Sequence, residues 1–386
     1  MPRDELRQPL RRRSTSERLW SKRPSALTAV ALLTFVGFVS GGIWLSRIPH
    51  PFAGEPIVMA AIPPVEELKT GSTDKAPDDG ETAAAEELQP PEAVPEEAAV
   101  VEDFSAETQI IVPRQRPLKP APIAAITEDS DQGPLPKIGQ GGKKPSDLYA
   151  QITPMSVLAS DRPKIVILLG GMGLNTKLTG KAIHDLPGDI TLGFAPYGGN
   201  LQEQVDKARA RGHEVMLQLP MEPVGYPAVN PGPNTLLADA DAETNLFALH
   251  WNMSRFTGYT GVTNYLGARF LATPETLKPV LAELKKRGLV FLQDATIALS
   301  STDEVARATG MAVRHGEIVI DANPDAASIA AALKQLEAQA QSQGIAVGTG
   351  TGLEVTIDAV NDWARDLNDR GFVLVPVSAA YKGKTG

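Results

Sequence analysis

The sequence predicts an α/β domain of alternating strands and helices, joined by a long unstructured tether to one transmembrane helix. Three observations predict it. Residues 27–45 are one uncharged apolar run. Residues 47–160 are rich in Ala, Pro and Glu. Beyond residue 160, short β-branched or apolar runs alternate with helical stretches that stop at glycines. A chain of 386 residues could hold two or three domains, but this distribution leaves one, over residues 161–380.

The first element is a basic arm, residues 1–24. It carries Arg3, Arg7, Arg11, Arg12, Arg13, Arg18, Lys22 and Arg23 against Asp4, Glu5 and Glu17. The membrane helix follows at 25–46, centred on LTAVALLTFVGFVSGGIWL. At about 1.5 Å per residue that run reaches about 28 Å, close to the hydrocarbon thickness of a bilayer. Trp20 and Trp44 flank it, where amphipathic rings favour the interface. The basic arm is expected to stay cytoplasmic, which puts the domain outside the cytoplasm. The run is longer than the apolar core of a signal peptide, and no small-x-small site follows closely, so it reads as retained. A bacterial inner-membrane protein facing the periplasm is the expected location.

The tether covers residues 47–160. Within 51–107, fifteen acidic residues stand against Lys69 and Lys75. Such a segment cannot bury enough apolar surface to offset the entropy of ordering. The charge reverses at 113–120 (PRQRPLKP), and 139–144 (GQGGKK) adds glycine. A solvated spacer is the plain reading, and a docking site for a partner or an anionic envelope polymer is the functional one. Residues 146–160 read as an entry arm that could pack on the domain.

The domain opens with a strand at 165–169 (IVILL), apolar throughout as both faces of a covered sheet require. A helix at 176–185, a strand at 190–195 and a helix at 201–210 follow, the last ended by Gly212. The third strand is 213–219, followed by a loop at 220–238 that holds five prolines. A helix at 241–255 leads to a strand at 261–264. The next helix, 274–287, has Thr273 as its expected cap and Pro274 in first position, and Gly288 stops it. A strand at 289–293, a helix at 302–309, a strand at 317–321 and a helix at 325–342 come next. The pattern closes with strands at 345–348 and 372–375 around a helix at 353–370. About eight strands with helical crossovers fit either a closed or broken (β/α) barrel or an open doubly wound sheet. In both, functional groups gather at the C-terminal ends of the strands.

Composition excludes several chemistries. A net charge of −9 gives no reason to expect a nucleic-acid partner. The absence of cysteine excludes disulfides, thiol catalysis and Cys-based zinc sites. None of the five histidines, His50, His184, His213, His250 and His315, is expected at the C-terminal end of a strand. No metal or other cofactor is therefore expected. Glu222, Asp294 and Asp321 do fall at that level. A carboxylate pair could run hydrolysis, but the same acids could hold long loops or pair with Arg269. Gly170, Gly171 and Gly173 lack the full spacing of a dinucleotide turn, and GTGTG at 348–352 is no stronger. Tyr197, Tyr226 and Tyr265 could stack on a sugar or pack their own loops.

Six stretches carry a resemblance: 165–173 (IVILLGGMG), 191–198 (TLGFAPYG), 212–227 (GHEVMLQLPMEPVGYP), 261–270 (GVTNYLGARF), 284–296 (LKKRGLVFLQDAT) and 371–379 (GFVLVPVSA). Together they resemble the divergent polysaccharide deacetylase family of bacterial envelope proteins. The resemblance implies a distorted (β/α) barrel of the deacetylase type. It also implies, for active relatives, a divalent metal held by an aspartate and two histidines beside a basic aspartate. This chain departs from that set. Gly170 and Gly171 stand where the relatives carry an Asp-Asp pair, and Gln218 and Tyr265 stand where they carry histidines. Gln293 takes the place of an aspartate, with Asp294 adjacent, and Thr349 that of a late histidine. Glu222, Asn264, Arg269 and Asp321 remain.

The expected cleft therefore consists of Gly170, Gly171, Gln218, Glu222, Asn264, Tyr265, Arg269, Gln293, Asp294, Asp321 and Thr349. Without a Lewis acid, nothing obvious activates water there. The leading expectation is a pseudoenzyme that binds a glycan or an envelope protein through the former catalytic face. Two alternatives stay open. One is a hydrolase or deacetylase with metal-independent chemistry, for which Glu222, Asp294 and Asp321 are weak catalytic candidates. The other is a membrane-anchored structural or assembly factor.

Overall fold

A computed structural model describes residues 116–382. The predicted basic arm, the membrane span and much of the tether lie outside the described residues. No helix among the described residues is long and apolar enough to cross a membrane.

The first sheet among the described residues is an antiparallel hairpin of β1 (Thr127–Ser130) and β2 (Gly133–Pro136). Two short helices follow, α1 (Pro145–Leu148) and α2 (Met155–Ala159). The sheet strands are β3 (Lys164–Met172), β4 (Thr191–Phe194), β5 (Val215–Met221), β6 (Gly261–Leu266), β7 (Val290–Gln293), β8 (Val313–His315), β9 (Ile318–Val319), β10 (Ile345–Thr351) and β11 (Val373–Leu374). The helices between them are α3 (Thr176–Asp185), α4 (Leu201–Ala210), α5 (Ala242–Met253), α6 (Ala268–Leu271), α7 (Pro274–Lys286), α8 (Thr302–Thr309), α9 (Ala326–Gln343) and α10 (Glu354–Ala364).

All nine strands pair in parallel, in the order β8-β7-β6-β5-β4-β3-β10-β9, with β11 on β3. The two edges of this order, β8 and β9, are consecutive in the chain and separated by Gly316 and Glu317 alone. Only a curled sheet can bring its edges that close. The open doubly wound alternative is therefore set aside in favour of a distorted half-barrel. The seam is stitched rather than paired. Gly316 N–H donates to Gln293 O at 2.8 Å on one side, and Glu317 N–H donates to Val347 O at 2.8 Å on the other. The Glu317 carboxylate then accepts from Val347 N–H at 2.6 Å, in place of a missing ladder bond.

Alternation along each strand makes two cores. Val166, Leu168, Met216, Leu292 and Val347 face inward and pack together. Ile165, Ile167, Leu169, Leu217 and Phe291 face outward beneath the helices. The lower, N-terminal end of the barrel is plugged by residues 375–379 and by Val157. Glu214 lies there fully buried; it accepts from Gln151 N–H at 2.7 Å, from Ser378 N–H at 3.1 Å and from the Ser378 hydroxyl.

Several expectations meet a different structure. Residues 116–145, expected as free tether, form a strap on the domain together with 146–160, the expected entry arm, and Ile126, Leu135 and Tyr149 within it are buried. Three arginines of the domain donate hydrogen bonds to it. Arg209 donates to Lys119 O, Tyr149 O and Gly258 O, and stacks on the Tyr149 ring at 4.8 Å. Arg255 reaches Gln132 O at 2.9 Å, and Arg287 reaches Pro136 O and Glu128. Thr273 stands at the cap position of α7 without capping it; its hydroxyl donates to Arg269 O at 3.0 Å. The last long helix stops at Ala364, not at 370. His315 does end a strand, because the short β8 was not foreseen; it contacts Asp303 at 2.7 Å.

The chain enters beside the plugged end, where Arg116 O lies against Gly212 just before β5. It leaves there too, with Lys382 among the charges acting on Glu214. The barrel mouth is the opposite end.

Candidate functional site

The floor of the mouth is a bulge in β3. Leu169 pairs with Leu192 and Met172 with Phe194, so Gly170 and Gly171 share one fewer partner on β4. Gly171 carries the turn with a φ of 78°, which glycine adopts without strain. Gly170 is glycine for another reason. A Cβ there would lie 2.8 Å from Gln218 Cδ and closer still to Nε2. Gln218 reaches in from β5 past β4, where Gly193 offers no side chain, and its Oε1 accepts from Gly171 N–H at 2.6 Å. The amide thus fills the space that a side chain at 170 would need.

This arrangement removes the phosphate reading of the glycines. Gly170 and Gly171 lie within a strand, not in a strand-to-helix turn. Gly171 N–H is taken by Gln218, and Gly173 N–H donates to the Thr179 hydroxyl at 2.9 Å. Glycines 348, 350 and 352 serve packing, since a Cβ at each would meet Leu336, Ile320 and Met172 respectively.

The three carboxylates are engaged with separate loops. Glu222 is buried; it accepts from Ala238 N–H at 2.7 Å and pairs with Arg269. Arg269 also bonds Asp239 at 2.5 Å, so the two residues pin the proline-rich loop after β5. Asp321 accepts from Thr351 N–H at 2.7 Å and from the Thr356 hydroxyl at 3.0 Å, which ties β10 to α10. Burial raises its pKa against those two bonds. Asp294 closes a turn with Thr296 N–H at 3.0 Å and the Thr296 hydroxyl at 2.5 Å. Burial raises its pKa too, opposed by Thr296 and Asn264.

The neutral members brace the same mouth. Asn264 accepts from Asp294 N–H at 2.8 Å and donates to Leu266 O at 2.8 Å. Thr349 accepts from Ala295 N–H at 3.1 Å. Gln293 turns away to Ile297 O and Ser300, outside the cleft expected for it. Tyr197 donates to Pro231 O at 2.6 Å, and its pKa is raised by burial and by the neighbouring Tyr265.

Sequence reasoning passed over Thr179, Thr351 and Thr356, which satisfy the strand ends, and Asp239. It also passed over three apolar residues in loops after β3, β5 and β7. Leu174, Val224 and Leu299 are 54%, 73% and 83% exposed. Their signal was available, as aliphatic residues among glycine and proline at strand ends.

Comparison with known proteins gives a consistent result. A family profile described as divergent polysaccharide deacetylase matches residues 167–381. A crystal structure of an uncharacterized protein from Agrobacterium tumefaciens C58 is 41% identical, covers 64% of this chain and 99% of its own, and superposes with a TM-score of 0.62. An uncharacterized protein of Haemophilus influenzae is 22% identical over 171 residues, 44% of this chain and 60% of that protein. The uncharacterized protein YibQ of Escherichia coli K12 is 24% identical over 144 residues, 37% of this chain and 44% of that protein. The chain thus spans about half the length of these last two relatives.

Proposed function

Since the chain belongs to the divergent polysaccharide deacetylase family, we propose that it is a non-catalytic binding protein of the bacterial cell envelope, which holds an uncharged glycan strand at the barrel mouth without cleaving it. The basic arm and apolar run support an inner-membrane anchor with the domain in the periplasm.

One observation carries the non-catalytic reading. The Gln218 amide occupies the space of a side chain at 170 and is hydrogen-bonded to Gly171. The fold family implies a divalent metal at this level, and these residues do not fit one. Glycine offers no donor atom, and a neutral amide or hydroxyl competes poorly with water for such an ion. No group of three or more His, Cys, Asp or Glu among the described residues could hold a metal ion. The remaining acids are occupied in bracing loops.

What the mouth offers is neutral. The Gln218 amide suits sugar hydroxyls and acetamido groups, and the half-buried Tyr265 at the end of β6 supplies the ring for a pyranose face, whereas the Tyr197 ring is packed on Gly232. The test is calorimetric titration of the purified protein with oligomers of N-acetylated amino sugar. Binding is expected with no release of acetate and no effect of chelator, and Tyr265→Ala is expected to weaken it about tenfold, the loss of one stacked ring. Metal-dependent acetate release would overturn the reading, as would binding untouched by Tyr265→Ala.

A second reading rests on Leu174, Val224 and Leu299. Aliphatic residues around a mouth suit a protein partner better than a sugar. Replacing all three by serine separates the readings, since it should spare glycan binding and abolish binding of a protein.

A further inference from the structure

The strap meets the plugged end of the barrel through Gln151, and this contact has an unusual composition. Gln151 N–H donates to Glu214 at 2.7 Å, and Gln151 Nε2 donates to Asp189 Oδ1 at 2.7 Å. The other side-chain atom of Gln151, Oε1, is enclosed and has no hydrogen-bond donor. A buried acceptor without a donor is costly, and native structures rarely keep one. A donor is within chemical reach, because a protonated carboxyl group carries one and its second oxygen lies beside the first. Turning the amide over would face Oε1 toward Oδ1, which again requires a proton between them.

We propose that Asp189 is protonated while the strap is docked and pairs with the Gln151 side chain as a cyclic acid–amide couple, so that loss of this proton loosens the strap. In the couple, Nε2–H donates to Oδ1 and Oδ2–H donates to Oε1. Undocking releases one proton to solvent and leaves a hydrated carboxylate and a hydrated amide.

The surroundings favour the neutral acid. Burial raises the Asp189 pKa to about 6, against the Gln151 amide and its own backbone N–H. No charged side chain contributes to that shift among the described residues. His213 is buried nearby, with its ring nitrogens on Ile190 O and Ile183 O, and burial lowers its pKa. Arg211 is turned to His184 O. Glu214, also raised by burial, is faced by Lys382, Arg209 and Tyr381; in either protonation state it keeps the N–H groups of Gln151 and Ser378, while the Ser378 hydroxyl donates to the carboxylate or turns to accept from the acid. Glu214 is therefore the fixed half of the contact and Asp189 the switchable half.

The experiment is hydrogen exchange of residues 145–160 in the full-length protein, with protection corrected for intrinsic exchange. With a docked value of about 6 and an ordinary value of 3.8, linkage gives about a tenfold loss of protection between pH 5 and pH 8. Asp189→Asn should abolish the dependence, because an amide donates and accepts as the neutral acid does. Gln151→Glu should move the midpoint to higher pH, because two carboxyl groups then share one proton. Flat protection in the wild-type chain overturns the proposal. So does an unchanged pH dependence in Asp189→Asn, or an unmoved midpoint in Gln151→Glu.

Discussion

At the scale of single residues, the former catalytic floor is a pair of mutually fitted replacements. Gly170 leaves a gap, and Gln218 fills it and satisfies Gly171 N–H. Restoring one residue should therefore not restore a function. Gly170→Asp must expel the Gln218 amide and strand the Gly171 N–H, at a cost of about 1–3 kcal/mol. Thermal denaturation should show the loss, and zinc titration should show no gain in affinity. A variant as stable as the parent would contradict the fit. The replacements themselves were legible in the sequence, because each position sits in a recognisable stretch. Their fit was not, since Gly170 and Gln218 meet across an intervening strand. The acids were legible as acids, but their occupation by Ala238, Arg269, Thr296, Thr351 and Thr356 depends on loop paths that no local pattern encodes.

At the scale of elements, long periodic segments were readable and short ones were not. The helices Thr176–Asp185, Leu201–Ala210 and Thr302–Thr309 have the bounds their periodicity and glycine stops predict. The strand Val313–His315 is too brief to show a period, whereas Ile318–Val319 lies within the strand expected at 317–321; the two form the sides of the seam. The first part of the strap was read as free tether because its composition is polar and proline-rich, and the arginines that hold it lie in or just beyond helices far along the chain. The seam makes its own prediction. Glu317→Ala removes the acceptor for Val347 N–H and should destabilise by about 1–3 kcal/mol in urea denaturation. Glu317→Gln keeps an amide oxygen in place and should lose distinctly less.

At the scale of the whole molecule, buried acids of opposite shift set the response to pH. Asp189 is raised to about 6, so its contribution is complete below 3.8 and is lost as pH climbs to about 6. Glu283 is lowered to about 2, by His250 first and by Arg287 and Lys286, so its contribution is present above 4.5 and is lost as pH falls toward about 2. His213, lowered by burial, acts against Asp189, since its contribution is lost as pH falls below 6.5. The Asp189 share is therefore read by difference: Asp189→Asn should lose less stability than the parent chain between pH 4 and pH 6. Denaturant midpoints of the two chains measured across pH 3–8 check this, and parallel curves would refute it. The same lower end that houses Asp189 also receives residue 116 and releases residue 382. An affinity handle, a fluorescent reporter or a sensor-chip linkage attached at Lys382 therefore projects from the rear of the domain. Immobilised in that way, the domain turns its opening away from the surface and toward whatever flows past.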